Sequence, residues 1–255
     1  MKKLLPIMVC LILTLFFCAA CSGGQPYQQY QQAYQQLEDE DSYMIERSET
    51  VIYTENLFGT VEVRNAGYQE TGQVMRDNNG TKFIANGVMI SDEESNQFNS
   101  YYCDGYMYYQ DISYPECNYR CRQDEDFVVK ITTEGIIDFP QKVIAKQSAE
   151  DTADGLLLTF EMDSEKYYAY RFPQTTEEYE YGEFSIYREP PLYTVLLDSQ
   201  GRIKQVTGQF CTVNSNYAAS TEERSYTITF SQYGEVVLDF PQLNEADYPE
   251  MQENE

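Results

Sequence analysis

Tyr226-Thr227-Ile228-Thr229-Phe230-Ser231 alternates large apolar and small polar side chains for six residues. Successive side chains of a strand point to opposite faces, so this stretch reads as a strand with one buried and one wet face, as in an antiparallel sheet. The same grammar extends outward from it. Tyr193–Leu197, the turn Asp198-Ser199-Gln200-Gly201 and Ile203–Val213 read as an antiparallel pair, and Glu235–Phe240, stopped by Pro241, reads as a last strand. Towards the N-terminus, Asp77-Asn78-Asn79-Gly80 carries the Asn-Gly pair of a tight hairpin, with Val74-Met75 and Phe83-Ile84 as arms. Asp104-Gly105 turns a second hairpin between Tyr101-Tyr102 and Tyr106–Tyr109.

Helical spacing is confined to two places. Tyr27, Tyr30, Tyr34 and Leu37 recur at three- and four-residue intervals in the Gln-rich segment Gln25–Gln36, which predicts a helix; the alternative is a low-complexity polar tether. The acidic run Glu38-Asp39-Glu40-Asp41 would oppose the dipole at a helix C-terminus, so the helix is expected to end before it. A second helix is expected within Asp163–Tyr181. No linker or long repeat divides the rest, and residues 27–248 read as a single β-rich domain followed by a flexible acidic tail at 249–255.

The first residues carry an address. Lys2 and Lys3 precede an apolar stretch, Leu4–Phe17, broken only by Pro6 and Thr14. That is the pattern of a secretory signal, too short for the roughly 20 apolar residues that span a hydrocarbon core. Cys18-Ala19-Ala20-Cys21 resembles the lipobox of bacterial lipoproteins, in which small residues precede a cysteine that receives diacylglycerol before signal peptidase cuts. The resemblance implies a signal peptide at 1–20, lipidation at Cys21 with its acyl chains in a bacterial membrane, a flexible tether at 21–26 through Ser22-Gly23-Gly24, and an extracytoplasmic location. Cys18 departs from the pattern by standing where an aliphatic residue is usual. The alternative is an ordinary cleaved signal, with Cys21 in a disulfide.

Composition excludes several classes. With 17 basic against 42 acidic residues the chain carries a net charge of −25, and loss of Lys2 and Lys3 with the signal deepens it. Nucleic acid is not an expected partner, since binding it requires neutralising phosphate. The 24 tyrosines and 13 phenylalanines supply the apolar area that an acidic disordered chain lacks. There is no histidine, so Ser-His-Asp and Cys-His centres and His-ligated metals are ruled out; no catalytic residue, cofactor or metal is expected, and the chain is not expected to be an enzyme. Asp92-Glu93-Glu94 and Asp124-Glu125-Asp126 read as solvated loops, because no calcium-loop pattern surrounds them.

Cys103, Cys117, Cys121 and Cys211 are an even set in an exported chain and are expected to form two disulfides. Spacing does not choose among the three pairings; Cys103 with Cys117 or Cys121, the other reaching Cys211, is preferred. The three-residue gap in Cys117-Asn118-Tyr119-Arg120-Cys121 is not that of a redox pair or a zinc knuckle.

Gly105-Tyr106-Met107-Tyr108-Tyr109 at mid-chain and Tyr233-Gly234-Glu235-Val236-Val237-Leu238-Asp239-Phe240-Pro241 near the end follow an N-terminal helix and a run of strands. In that order of elements the chain resembles the LolA and LppX superfamily. The resemblance implies a mainly β (α+β) fold, a curved antiparallel half-open barrel with helices at its mouth, and a lipid or other amphipathic ligand in the hollow. It supplies no fixed site residue. Tyrosine, with an apolar body and a polar tip, suits such a wall or a protein contact surface. Tyr101, Tyr102, Tyr106, Tyr108 and Tyr109, with Tyr226, Ile228 and Phe230, are the cavity candidates, against the plainer reading that they are half-buried strand residues. The other functional reading is a structural or protein-interaction lipoprotein of the cell envelope, with a packed core and no small ligand.

Overall fold

The computed structural model of the chain describes residues 26–57, 60–78, 80–123, 139–171, 185–214 and 220–251. The signal segment, Cys21, all of the tether but its last residue, Asp124-Glu125-Asp126 and residues 252–255 of the tail lie outside the described residues.

Helix α1 spans Pro26–Asp39. Pro26 suits the first helical position, where its missing N–H has no intrahelical partner to lose. Tyr27, Tyr30, Ala33 and Leu37 are buried, so the tyrosine stripe is a helix face and not a tether. The helix runs two residues into the acidic stretch, further than its charge pattern predicts. Arg76 explains the extension: its guanidinium donates to the carbonyls of Glu40 (2.6 Å) and Leu37 (3.5 Å), placing a cation where the dipole needs one.

Among the described residues twelve strands follow: β1 Ser42–Leu57, β2 Thr60–Asp77, β3 Gly80–Ser91, β4 Ser95–Cys103, β5 Tyr106–Asp111, β6 Tyr119–Arg122, β7 Ile144–Thr152, β8 Gly155–Met162, β9 Ser185–Tyr187, β10 Leu192–Leu197, β11 Ile203–Asn214 and β12 Ser220–Ser231. Helix α2, Ser164–Arg171, leaves β8 through Asp163, whose carboxylate accepts the Lys166 N–H at 3.1 Å as an N-cap. The strands form one antiparallel sheet in the order β6-β5-β4-β3-β2-β1-β12-β11-β10-β8-β7, with β9 against β11. The sheet is curved and stays open, a half-barrel. Two meanders build it, and the long β1–β12 ladder, from Met44↔Ser231 to Glu55↔Ser220, joins the halves of the chain.

The turns follow their chemistry. Asp104 (φ 52°) and Gly105 (φ 79°) both take the left-handed conformation a two-residue hairpin needs, closed by Cys103↔Tyr106. Glu235–Phe240, in contrast, is not a strand. β12 is already flanked by β1 and β11, so no ladder position remains for it. The segment instead runs over the sheet: Phe240 packs edge-on against Tyr101 (6.2 Å), and further on Pro249–Met251 pairs in parallel with Arg120, covering the β6 edge.

Candidate functional site

The concave face of the sheet is filled. Register places Phe160, Tyr193, Gly208 and Tyr226 in one transverse row, and Leu158, Val195, Val206 and Ile228 in the next. Tyr30 of α1 stacks on Phe139 at 5.3 Å and meets Phe160 at 5.5 Å, and Tyr167 of α2 hydrogen-bonds its hydroxyl to that of Tyr193. Tyr226, Ile228 and Phe230 lie in this core at 4, 0 and 3 % exposure, so all three pack against side chains. Gly208 is needed beneath Tyr226, because a Cβ there would sit 2.2 Å from the ring. Burial pushes the hydroxyls of Tyr193 and Tyr226 well above the ordinary tyrosine range.

Towards β1–β6 the same face turns polar. Glu49 accepts from Arg47 at 2.7 Å and from Arg224 at 2.8 Å, with the Arg47 and Glu49 side chains both almost fully buried. Arg47 also lies over the Tyr68 ring at 4.6 Å. From Tyr68 a row of stacked rings runs through Phe98, Tyr109 and Tyr119 with centroids 5.3–5.7 Å apart. Gly87 lets it cross β3, since a Cβ there would meet Phe98 at 2.5 Å.

The five mid-chain tyrosines do not line one cavity. Strand alternation puts Tyr102 and Tyr109 on the concave face; Tyr102 is 1 % exposed and donates to the Gln123 carbonyl. Tyr101, Tyr106 and Tyr108 point the other way, Tyr101 towards Phe240 and Tyr108 towards Tyr248. The C-terminal segment covers that group.

The four cysteines are free thiols, which corrects the expected disulfides. Cys103 is opposite Tyr106, and Cys121 opposite Met107, so the two belong to opposite faces of the sheet with β5 between them. Two strand spacings, roughly 9.6 Å, exceed the Cα separation a disulfide bridges. Cys211 on β11 is five strands from β4, and Cys117 sits exposed on the turn beyond β5. Burial raises the pKa of the Cys103 and Cys211 thiols, which disfavours the thiolate form. Of the acidic clusters, Asp92 caps the Asn65 amide at 2.7 Å, a structural role.

The helix-free face carries the feature that sequence reasoning missed. Thr159, Thr194, Thr207, Thr227, Ser48 and Gln69 stand directly opposite one another across six strands. A parallel row runs Thr229, Glu46, Thr71, Asn86, Asn99 and Gln110. Between β12 and β4 these rows hollow into an open trough of about 680 Å³. Its side chains are hydroxyls and amides, with Val88 and Ile112 at one end and Glu46 as its outward-facing charge. A hydrogen-bonding surface with a single outward-facing charge stands out on a chain of net charge −25. The signal was present as small polar residues alternating with the buried ones, but it becomes a surface only once register is known.

The fold and this face define a half-open antiparallel sheet protein with a filled concave side and a polar trough behind it. The sequence matches no protein-family model and no curated protein. Among solved structures, it is similar to a DUF1329 family protein from Desulfovibrio piger (11 % identity, 85 % of this chain and 96 % of that chain, TM-score 0.27). It is also similar to a putative outer membrane lipoprotein-sorting protein domain from Vibrio parahaemolyticus (8 % identity, 84 % and 95 %, TM-score 0.24). A beta-barrel-like DUF1849 protein from Brucella abortus follows (10 % identity, 74 % and 98 %, TM-score 0.21).

Proposed function

We propose that this chain is an exported lipoprotein, anchored through Cys21 to a bacterial membrane, that works by binding another envelope protein and not by catalysis. The packed concave face carries this reading: the space that would hold an acyl chain is taken up by Tyr30, Phe139, Phe160, Tyr193 and Tyr226. The trough on the opposite face offers many hydrogen-bond partners and a single outward-facing charge, Glu46, to desolvate, which suits a polar protein surface.

Lipid carriage is the second reading, favoured by the open sheet with α1 laid across it. It requires α1 to leave the sheet and expose Tyr30, Ala33 and Leu37, a large apolar area. Site-specific photo-crosslinking in intact cells separates the two. A crosslinker at Gln69 or Asn99, in the trough, is expected to give one discrete protein adduct, absent when it is placed at Val237, which is 91 % exposed and outside the trough. Equal adducts from all three positions would count against the trough, and lipid adducts from a crosslinker at Tyr30 would favour carriage.

A further inference from the structure

The β1–β2 ladder continues to Leu57↔Thr60, but β3 leaves β2 at Ala66↔Ser91. Residues 60–65 are therefore paired on one side, and among the described residues no strand pairs with the other. The backbone shows which groups face that open side. The Asn65 N–H points there and donates to Asp92 Oδ2 at 2.7 Å, with Asn65 Nδ2 on Oδ1 at 3.0 Å. Strand parity sends the N–H and C=O of Val63 and Val61 the same way. Edge strands are ordinarily protected by a charge, a proline or a bulge; here charge stands on one face only, and on the other Val61 and Val63 are 59 % and 54 % exposed.

Charge selects the occupant. Glu62 and Arg64 alternate with the two valines on the other face of the strand. Arg64 pairs with Glu55 at 2.7 Å. Glu62 faces Glu55 across the ladder and makes no ion pair among the described residues. We propose that two copies of this chain join along this edge, antiparallel about a two-fold axis through Val63, so that one sheet continues into the other. In that register Val63 opposes its counterpart and exchanges both backbone hydrogen bonds with it. Glu62 opposes Arg64 of the second copy, twice. Each Val61 N–H reaches the Asn65 carbonyl of the other chain, leaving the Asn65 N–H with Asp92. Centring on Glu62 or Arg64 would set like charges face to face, and centring on Val61 leaves both unmatched. The edge is self-complementary in one register. This inference goes beyond the proposed trough and does not depend on it.

A contact of about five residues a side is small, so the pairing is weak and exchanging. Covalent capture therefore tests it. In a hydrogen-bonded antiparallel pair the Cα atoms lie about 5.5 Å apart, within disulfide reach. Val63→Cys in the mature protein, oxidised and run without reductant, is expected to give a dimer linked through residue 63 to itself by mass spectrometry. Val61→Cys is expected to give little, because Asn65 stands opposite it. Adding Glu62→Arg to Val63→Cys should lower the dimer yield about tenfold, and adding Arg64→Glu as well should restore it. Circular dichroism checks that each variant keeps its sheet. Equal cross-linking at 61 and 63, or a yield at 63 indifferent to charge reversal in folded protein, overturns the proposal.

Discussion

A single methyl group placed at Gly208 tests how tightly the concave face is filled. In Gly208→Ala the new Cβ would lie 2.2 Å from Cζ and the hydroxyl oxygen of Tyr226 and 2.4 Å from Cε1. Carbon atoms rest at about 3.5–4.0 Å, so the ring must retreat by more than about 1 Å. It cannot do so freely, since Tyr226 is 4 % exposed and Tyr193 lies against it at 6.4 Å between centroids. Overpacking of this kind costs about 1–3 kcal/mol, and a ring with no free space belongs at the upper end. At about 2–4 °C per kcal/mol for a domain of this size, a loss of about 3 kcal/mol lowers the Tm by about 6–12 °C. Tyr226→Leu alone is destabilising because it opens a cavity, but in the Gly208→Ala background it removes the clash as well. Thermal melts of the parent, both singles and the double are therefore expected to show a favourable coupling of about 1–3 kcal/mol. A Gly208→Ala protein that melts like its parent, or a double whose loss equals the sum of the singles, would refute the packing described here.

Glu49→Gln removes the acid shared by Arg47 and Arg224 and leaves buried positive charge less compensated, a loss of about 3–5 kcal/mol by urea unfolding; a change below 1 kcal/mol would contradict the ion network. The protein isolated from the cells that make it is expected to show its four domain thiols free once denatured, with Cys117 the fastest to be alkylated in the native state; finding them oxidised would restore the disulfides. Tyr187, Tyr193, Tyr226 and Tyr233 have pKa values raised above the unfolded value by burial. Their neutral forms stabilise the fold fully below about pH 10, and that stability is lost as pH rises above it. Their tyrosinate absorbance should therefore appear together with the loss of sheet signal; ionisation of every tyrosine near pH 10 in a folded protein would argue against these burials.

Much of the architecture is written in local chemistry. The alternation at Tyr226–Ser231 gives β12 its two faces, and the Asp104-Gly105 pair produces the hairpin its backbone preferences require. The Tyr27/Tyr30/Leu37 stripe gives α1 its buried side, while the end of that helix was not legible, because Arg76 that caps it comes from another element. Glu235–Phe240 has the composition of a strand but no free neighbour, a fact of sheet order that no local pattern carries. The cysteines failed as a framework for a similar reason. Chain spacing brought Cys103 and Cys121 within one excursion, and strand parity then put them on opposite faces. The trough was hidden because its residues are contributed one or two at a time by separate strands.

The central claim is that the concave face is a core and not a lipid cavity. Native mass spectrometry of the domain, purified in its folded state, tests it most directly. The packing around Tyr30, Phe139, Phe160 and Tyr226 predicts a single species at the protein mass, apart from the proposed anchor on Cys21, with no added lipid retained after gentle activation. A stoichiometric lipid adduct that survives release of the anchor, and is lost on Ile228→Trp, would contradict it.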